Sequence, residues 1–543
     1  MRGLMMDTQL TITGIMRHAE LNYPDTEVVS VTADNPLHRY TYKDWFRRSR
    51  QLANALQKLG AVADDCIATL AWNDYRHLEL YYATSCSGMI CHTINPRLFP
   101  EQVAYIVNHA EDKFVFVDLL VYKLMEALQA KLPSVKGYII LTDAEHMPET
   151  SLPNVYCYED LIAAESDQFA WPDLDENTAC VLCYTSGTTG NPKGVLYSHR
   201  SAVLHAYAGS LPSVLNLKTT DVLLPIVPMF HVNAWGLPYA APINGCKLVM
   251  PGPKMADGET LCFLLNSEGV TFSAGVPTVW LALLDYLDSE NKTLDSMRRI
   301  TVGGAACPLS IIERFRDDYD VEVKQGWGMT EMSPLGTVFS LKAGMEDLSK
   351  DEKAQLQLKQ GRGVFGCEMK IVDEDNNQLP WDGVAFGALK VRGPWVCSAY
   401  FKVDNTASHD ADGWFDTGDV ANIDAQGYMQ ITDRSKDVIK SGGEWISSIE
   451  LENIAVNHPE IAEAAVIGRY HPKWTERPLL LVISHPDCEL NKDEILKWFD
   501  GKVAAWMIPN DVVFVEELPH TATGKLNKLS LREQFKDYQF PDA

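Results

Sequence analysis

The stretch Val181-Leu182-Cys183-Tyr184-Thr185-Ser186-Gly187-Thr188-Thr189-Gly190-Asn191-Pro192-Lys193-Gly194 runs from a short apolar segment into a glycine-rich loop, and Ser201 to Ala208 beyond it can begin a helix. Strand, loop, helix is the order this predicts, a unit from which α/β sheets are assembled. Gly187, Gly190 and Gly194 let the backbone approach an anion, the hydroxyls of Thr185, Ser186, Thr188 and Thr189 offer donors, and Lys193 adds positive charge. The loop therefore suits nucleotide phosphates. It is not a Walker A loop, which needs Gly-Lys followed by Ser or Thr, whereas Pro192 precedes Lys193 and Gly194 follows it.

On either side of the loop, helical and strand patterns alternate for most of the chain, the habit of α/β architecture with largely parallel sheets. Thr41 to Leu59 reads as a helix with Thr41 and Asp44 as a capping box and Gly60 as its stop, and Pro100 opens another whose Val103, Ile106, Val107 and Ala110 share a face. Ile300 to Ala306, and Val321 to Val323 before Gln325-Gly326-Trp327-Gly328-Met329-Thr330-Glu331, read as buried strands ending in turns, where ligands of such sheets bind. From about Gly361 the pattern turns strand-rich, predicting a small antiparallel, β-barrel-like unit. A charged joint, Asp433-Arg434-Ser435-Lys436-Asp437, precedes a last segment with its own strands at Ala464 to Gly468 and Leu479 to Ser484. The expected organisation is a large N-terminal α/β domain over 1–433, its strand-rich part about 361–433, a hinge over 434–437 and a small mobile α+β lid over 438–543.

The chain has 543 residues, 46% hydrophobic and 22% charged, enough for several packed cores. A formal net charge of −26 argues against a nucleic-acid surface and against electrostatic docking on anionic membranes. Twelve cysteines without paired spacing suit reduced thiols in a cytoplasmic protein, and Cys180 and Cys183 read as buried strand residues because no second ligand pair accompanies them. Val222 to Met250 is apolar but interrupted by Pro225, Pro228, Pro238 and Pro242, so strand, loop and helix are expected there and no integral membrane segment.

Five stretches stand in one order: Tyr184 to Gly194, Gly326 to Glu331, Trp414-Phe415-Asp416-Thr417-Gly418-Asp419, Asp433 to Lys440, and Thr523-Gly524-Lys525. Together they resemble the adenylate-forming superfamily, and its acyl-CoA synthetase branch. Val227 to Gly236 and Lys440 to Ser447 are similar to the bacterial medium- and long-chain fatty-acyl-CoA synthetases and the 3-(methylthio)propionate-CoA ligases. The resemblance implies two half-reactions. A carboxylate attacks the α-phosphate of ATP to give acyl-adenylate and pyrophosphate, and the thiol of coenzyme A then displaces AMP.

On that resemblance, Thr185 and Glu331 are expected to hold Mg²⁺, for which hard oxygen ligands are suited. Lys193, with Ser186, Gly187, Thr188, Thr189 and Gly190, would face the pyrophosphate, and Lys525 would bridge carboxylate and α-phosphate. Gly303, Gly304, Ala305, Gln325, Gly326, Trp327, Gly328, Met329 and Thr330 would surround the base and phosphates, while Asp419, Arg434 and Lys436 would serve the ribose end. Many relatives carry tyrosine at Trp327, so stacking is kept in kind while a phenolic hydrogen bond is lost. His231 would border the carboxylate and Trp235 would gate an acyl tunnel also lined by Val232, Gly304 and Pro334.

The second half-reaction favours a lid that moves, with Lys436 and Asp437 as hinge and Lys440, Ser441, Gly442, Gly443, Glu444, Trp445 and Glu476 lining the coenzyme A path. Taken singly, each residue has an ordinary structural reading, an exposed turn or a core side chain. The set supports an enzyme using ATP, coenzyme A and a short- to medium-chain aliphatic or thioether acid, in a family whose members are often homodimers. An adenylating enzyme with another acceptor, or a silent nucleotide-binding protein, remains open at this point.

Overall fold

The computed structural model describes residues 1, 3–185, 191–403, 408–441, 444–485, 488, 490–521 and 525–541, with backbone only at 444 and 445. Two large sheets form the first part of the chain. A seven-stranded sheet runs in the order Val155–Cys157, Gly137–Leu141, Phe114–Asp118, Cys66–Leu70, Ile90–Thr93, Ala179–Tyr184 and Gly194–Ser198, parallel throughout except for its last pair. The nine-stranded sheet has a parallel centre, in which Glu322–Gly328, Arg299–Val302, Phe272–Gly275, Val222–Pro225, Lys247–Met250 and Glu27–Ser30 are neighbours in that order.

Between the two sheets lies the helix Tyr75–Cys86, all of whose residues are buried. A helix enclosed on every side must find partners for its polar tips, and Tyr82 does so by donating its hydroxyl to the Pro238 carbonyl at 3.0 Å. Tyr81 likewise donates to the Met229 carbonyl, fixing the segment ahead of His231. The helix Tyr42–Lys58 covers one side with the expected capping box from Thr41 and Asp44, and Gly60 takes φ +89° just beyond it. Pro100–Ala110 likewise buries Val103, Ile106, Val107 and Ala110.

Two expectations change. The glycine-rich loop leads not into a helix but into the strand Gly194–Ser198, paired antiparallel with Ala179–Tyr184 in the register Tyr184 opposite Gly194. The helix His199–Ser210 follows only afterwards. Val195 and Tyr197 are buried on one side of this strand, and β-branched and aromatic residues of that kind favour extended pairing over a helical first turn. The strand-rich part is an open four-stranded antiparallel sheet, Glu368–Val372, Phe386–Arg392, Phe415–Ile423 and Met429–Arg434, with no closed barrel among the described residues. Its consecutive pairings leave the first and last strands as edges, and closure would need those edges to meet with a stagger.

Beyond the joint, the hairpin Ile461–His471 with Thr475–Ser484 carries Asp511–Phe514 in parallel and is covered by the helices Ser448–Val456, Lys492–Trp498 and Lys528–Gln534. Asp437 in the joint pairs with Arg532 of the last helix, and Lys528 of that helix reaches Glu452 at 2.7 Å.

Candidate functional site

The carboxyl ends of the central strands, the hairpin stem and the last segment of the chain enclose one cavity of about 2060 Å³. Of the residues singled out in the sequence, Thr185, Lys193, His231, Val232, Trp235, Gly303, Gly304, Ala305, Pro334, Arg434, Lys436, Asp437 and Lys525 line it, as do Gly326 to Glu331 without a break. Ser186 to Gly190, Gly442, Gly443, Thr523 and Gly524 lie outside the described residues.

At the loop stem, Thr185 and Lys193 exchange bonds: the Thr185 N–H donates to the Lys193 carbonyl at 2.9 Å, and the Thr185 hydroxyl accepts the Lys193 N–H at 3.3 Å. Lys193 Nζ lies 4.6 Å from the centre of the Tyr400 ring, and the Tyr400 hydroxyl donates to Glu331 Oε1 at 2.7 Å. Thr185, Lys193, Tyr400 and Glu331 thus form one connected group, with the Glu331 main chain fixed by the Cys397 N–H at 2.8 Å. Nearby, the Tyr197 hydroxyl donates to the Thr330 carbonyl at 2.5 Å. The hydroxyl of Thr185 and the carboxylate of Glu331 are hard oxygen donors facing one cavity, a set that fits Mg²⁺.

Across the cavity, Asp419 accepts the Trp327 indole N–H at 2.9 Å and pairs with Arg434 at 2.8 Å. The indole therefore supplies a hydrogen bond of its own, to a carboxylate. Burial raises the Asp419 pKa, and Arg434 and Trp327 act against that rise. Lys525 enters the same space, where burial and the Arg434 charge lower its pKa to about 8 while Asp419 and Glu331 support the charged form. His231 is lowered to about 4 by burial and by the Lys525 charge, so its ring is neutral at pH 7.

The acyl side is shaped by an uncommon backbone. Val232, Asn233, Ala234 and Trp235 take φ of 41°, 55°, 47° and 55°, followed by Gly236 at 78°, a left-handed turn. Such geometry costs roughly 1–2 kcal/mol per side-chain-bearing residue and persists only where surroundings enforce it. Here they do. The Asn233 side-chain carbonyl accepts from the Tyr81 hydroxyl at 3.3 Å and the Cys183 thiol at 3.5 Å, and the Ala234 N–H donates to the Pro228 carbonyl at 3.1 Å. Trp235 consequently lies over Gly303, where a Cβ would sit 2.9 Å from the indole. Behind it the cavity continues past Leu215, Leu237, Ala274, Thr301 and Val338.

Not every expected residue meets the cavity. Gln325 is fully buried on the strand Glu322–Gly328, with neither amide atom paired. Lys440, Ser441 and Glu476 gather on the far side of the joint, where Glu476 Oε2 accepts the Lys440 N–H at 2.9 Å and Ser441 accepts from Arg477 at 3.0 Å. Tyr400, Tyr197, Asn233 and His205 were missed in the sequence. His205 accepts the Leu335 N–H at 3.2 Å, and a Cβ on Gly236 would stand 2.6 Å from its ring. The side-chain hydrogen bonds given for these four residues span 50 to 152 residues of chain, and no local pattern announces them.

The family described as AMP-binding enzyme matches residues 16–401, and the AMP-binding enzyme C-terminal domain matches residues 450–525. A medium-chain fatty acid–CoA ligase of Ectopseudomonas oleovorans is 50% identical over 99% of this chain and 98% of its own length. A 3-methylmercaptopropionyl-CoA ligase of Ruegeria lacuscaerulensis is 49% identical over 99% of both chains. Among solved structures, the anthranilate CoA ligase AuaEII in complex with anthranoyl-AMP superposes with a TM-score of 0.86 at 25% identity, over 98% of both chains.

Proposed function

The chain belongs to the AMP-binding enzyme family, and from that premise we propose that it is an ATP-dependent, AMP-forming acyl-CoA synthetase acting on short- to medium-chain aliphatic or thioether acids. One observation carries the reading: Lys525, Arg434, Glu331 and Lys193 line a single cavity that continues past Trp235 into an apolar pocket, with Asp419 behind its wall, paired with Arg434 and Trp327.

Adenylation is an in-line displacement at phosphorus, and negative charge spreads over the phosphate oxygens as the acid attacks. Lys525 answers that charge at the attack point, and Lys193 with the loop hydroxyls answers it at the departing pyrophosphate. Mg²⁺, bound by Thr185 and Glu331, would neutralise phosphate charge. Asp419 receives the ribose hydroxyls while Trp327 stacks on the base and holds Asp419 in place. A neutral His231 beside the carboxylate leaves the acid ionised without competing for the lysine, and Trp235 shields the acyl chain.

For the thioester step, rotation about Lys436 and Asp437 would withdraw Lys525 and bring Lys440 to Trp445, with Glu476, to the adenylate. The large domain then spans 1–433 and the lid 438–543. A cytoplasmic homodimer is the assembly consistent with this reading, and light scattering would measure it. To test the function, pyrophosphate release is followed with ATP, Mg²⁺ and a panel of carboxylic acids, with and without coenzyme A. CoA-dependent turnover supports the synthetase; release that ignores coenzyme A points to another acceptor, and no release with any acid removes the enzyme reading.

A further inference from the structure

The helix His199–Ser210 carries a glycine at position 209, buried and lining the cavity. A Cβ placed there would have Leu215 Cδ1, at 3.9 Å, as its one neighbour within 4 Å beyond the helix backbone, among the described residues. The ordinary reasons for a glycine are missing. Its backbone is helical rather than left-handed. Nothing crowds the position in the way that His205 crowds Gly236 and Tyr23 crowds Gly245, each 2.6 Å from where a Cβ would stand. Its carbonyl accepts the Leu215 N–H at 3.1 Å, a bond that any residue would make. Glycine is also the poorest helix former after proline, so alanine would suit the helix better. What the glycine leaves is room.

That room lies at the deep end of the acyl side. Tyr197, just ahead of the helix, meets the Thr330 carbonyl beside Glu331, whereas His205 within it meets the Leu335 N–H. The helix therefore leads away from the phosphate end. His205 also marks the level of the left-handed turn, through its closeness to Gly236, and Gly209 follows it one turn later on the same face. Four residues of α-helix advance roughly 6 Å, which sets Gly209 about that far beyond the turn that carries Trp235. Leu215, Leu237 and Ala274 line the cavity with it, all apolar. A side chain at position 209 would project into this space and not into packed protein.

We propose that Gly209 sets the length limit of the acyl chain: the absent side chain keeps the deep end of the pocket open, and a larger residue there shortens the longest acid accepted. The proposal rests on the acyl-CoA synthetase reading and assigns within it the position that measures the tail of the substrate. Trp235 guards the way in, and Gly209 fixes how far a chain can go.

Wild type, Gly209→Ala and Gly209→Leu are compared with Tyr207→Leu, which alters a residue 52% exposed on the outer face of the same helix. The readout is kcat/KM for CoA-dependent pyrophosphate release with straight-chain acids from acetate to dodecanoate. For Gly209→Leu the value relative to wild type is expected to drop by about tenfold or more past one chain length and to stay low for every longer acid, the size of the contribution of pocket contacts with one or two methylenes. For Gly209→Ala the drop should come at the same or a longer acid, because the side chain reaches less far, while the melting temperature holds or rises. Tyr207→Leu should keep the wild-type profile. An unchanged profile in both Gly209 variants, an equal loss at every chain length, or a drop that Tyr207→Leu shares overturns the proposal and leaves the synthetase reading standing. If wild type makes no thioester from any of the acids, that reading fails and this one with it. Should Gly209→Leu not fold, Gly209→Ala carries the test alone.

Discussion

The Tyr400 hydroxyl donates to Glu331 Oε1 at 2.7 Å while the face of the same ring carries Lys193 Nζ 4.6 Å from its centre. One aromatic side chain thus sets the position of both the carboxylate suited to Mg²⁺ and the cation suited to pyrophosphate. Tyr400→Phe keeps the ring under Lys193 and removes only the bond to Glu331. A hydrogen bond to a charged group is worth about 1.5–3 kcal/mol, so adenylation should fall by roughly ten- to a hundredfold. The half-saturating Mg²⁺ concentration in ATP–pyrophosphate exchange should rise with it; an unchanged Mg²⁺ dependence would separate Tyr400 from the metal.

Lys525→Ala should lower adenylation by on the order of 10² to 10³, the loss seen when one preorganised charge-stabilising group is removed. Supplied acyl-adenylate should still be converted to thioester. Pyrophosphate exchange and thioester formation, measured separately, check the division, and equal loss in both would contradict the assigned role.

The pH dependence follows from the same lysine. Its pKa in the free enzyme is lowered to about 8, so the cation is present below that pH and lost above it. kcat/KM for ATP should therefore be level near neutrality and decline above pH 8, since that parameter reports free-enzyme groups. The residual activity of Lys525→Ala should lack this limb. His231, lowered to about 4, stays neutral throughout the range and adds no inflection near pH 6.5.

Gly236→Ala tests the left-handed turn. Its φ of 78° costs a side-chain residue about 1–2 kcal/mol, and the new Cβ would stand 2.6 Å from the His205 ring. Thermal unfolding should show a clear loss of stability. Chain-length selectivity should change as well, because the turn carries Trp235.

Trp235→Ala removes the indole above Gly303 and widens the path behind it. Longer acids should gain on shorter ones in kcat/KM by about tenfold, within the range that pocket contacts contribute to discrimination. A chain-length profile identical to wild type would place the selecting contacts elsewhere.

Much of this was legible in the chain itself. Thr41 with Asp44, Pro100 and the strand end at Val302 announce themselves by capping chemistry, period and punctuation, all local properties, whereas the strand read over Val321 to Val323 runs on to Gly328. What escaped was set by register. The strand Gly194–Ser198 is short and lies beside helix-forming residues, so its antiparallel pairing with Ala179–Tyr184 outweighs a weak local preference. The strand-rich part was read as barrel-like because glycines and turns predict strands without saying whether the edges meet. Tyr400, His205 and Asn233 act through bonds to distant carboxyl, backbone, hydroxyl or thiol groups, and a lone tyrosine, histidine or asparagine has no spacing to betray it.

The hairpin at Gly194 also changes where the loop's grip on an anion must originate. A loop that opens directly into a helix borrows the positive end of the helix macrodipole and its free N–H groups. Here the helix His199–Ser210 starts at the opposite end of a five-residue strand, roughly 15 Å away, too far for a field that fades within a turn. Its leading N–H groups are engaged locally as well, with Ser198 capping Ser201. On the proposed function, and among the described residues of this hairpin, Lys193 is the cation left to meet the polyphosphate, and the helix His199–Ser210 is too distant to replace it when it is substituted.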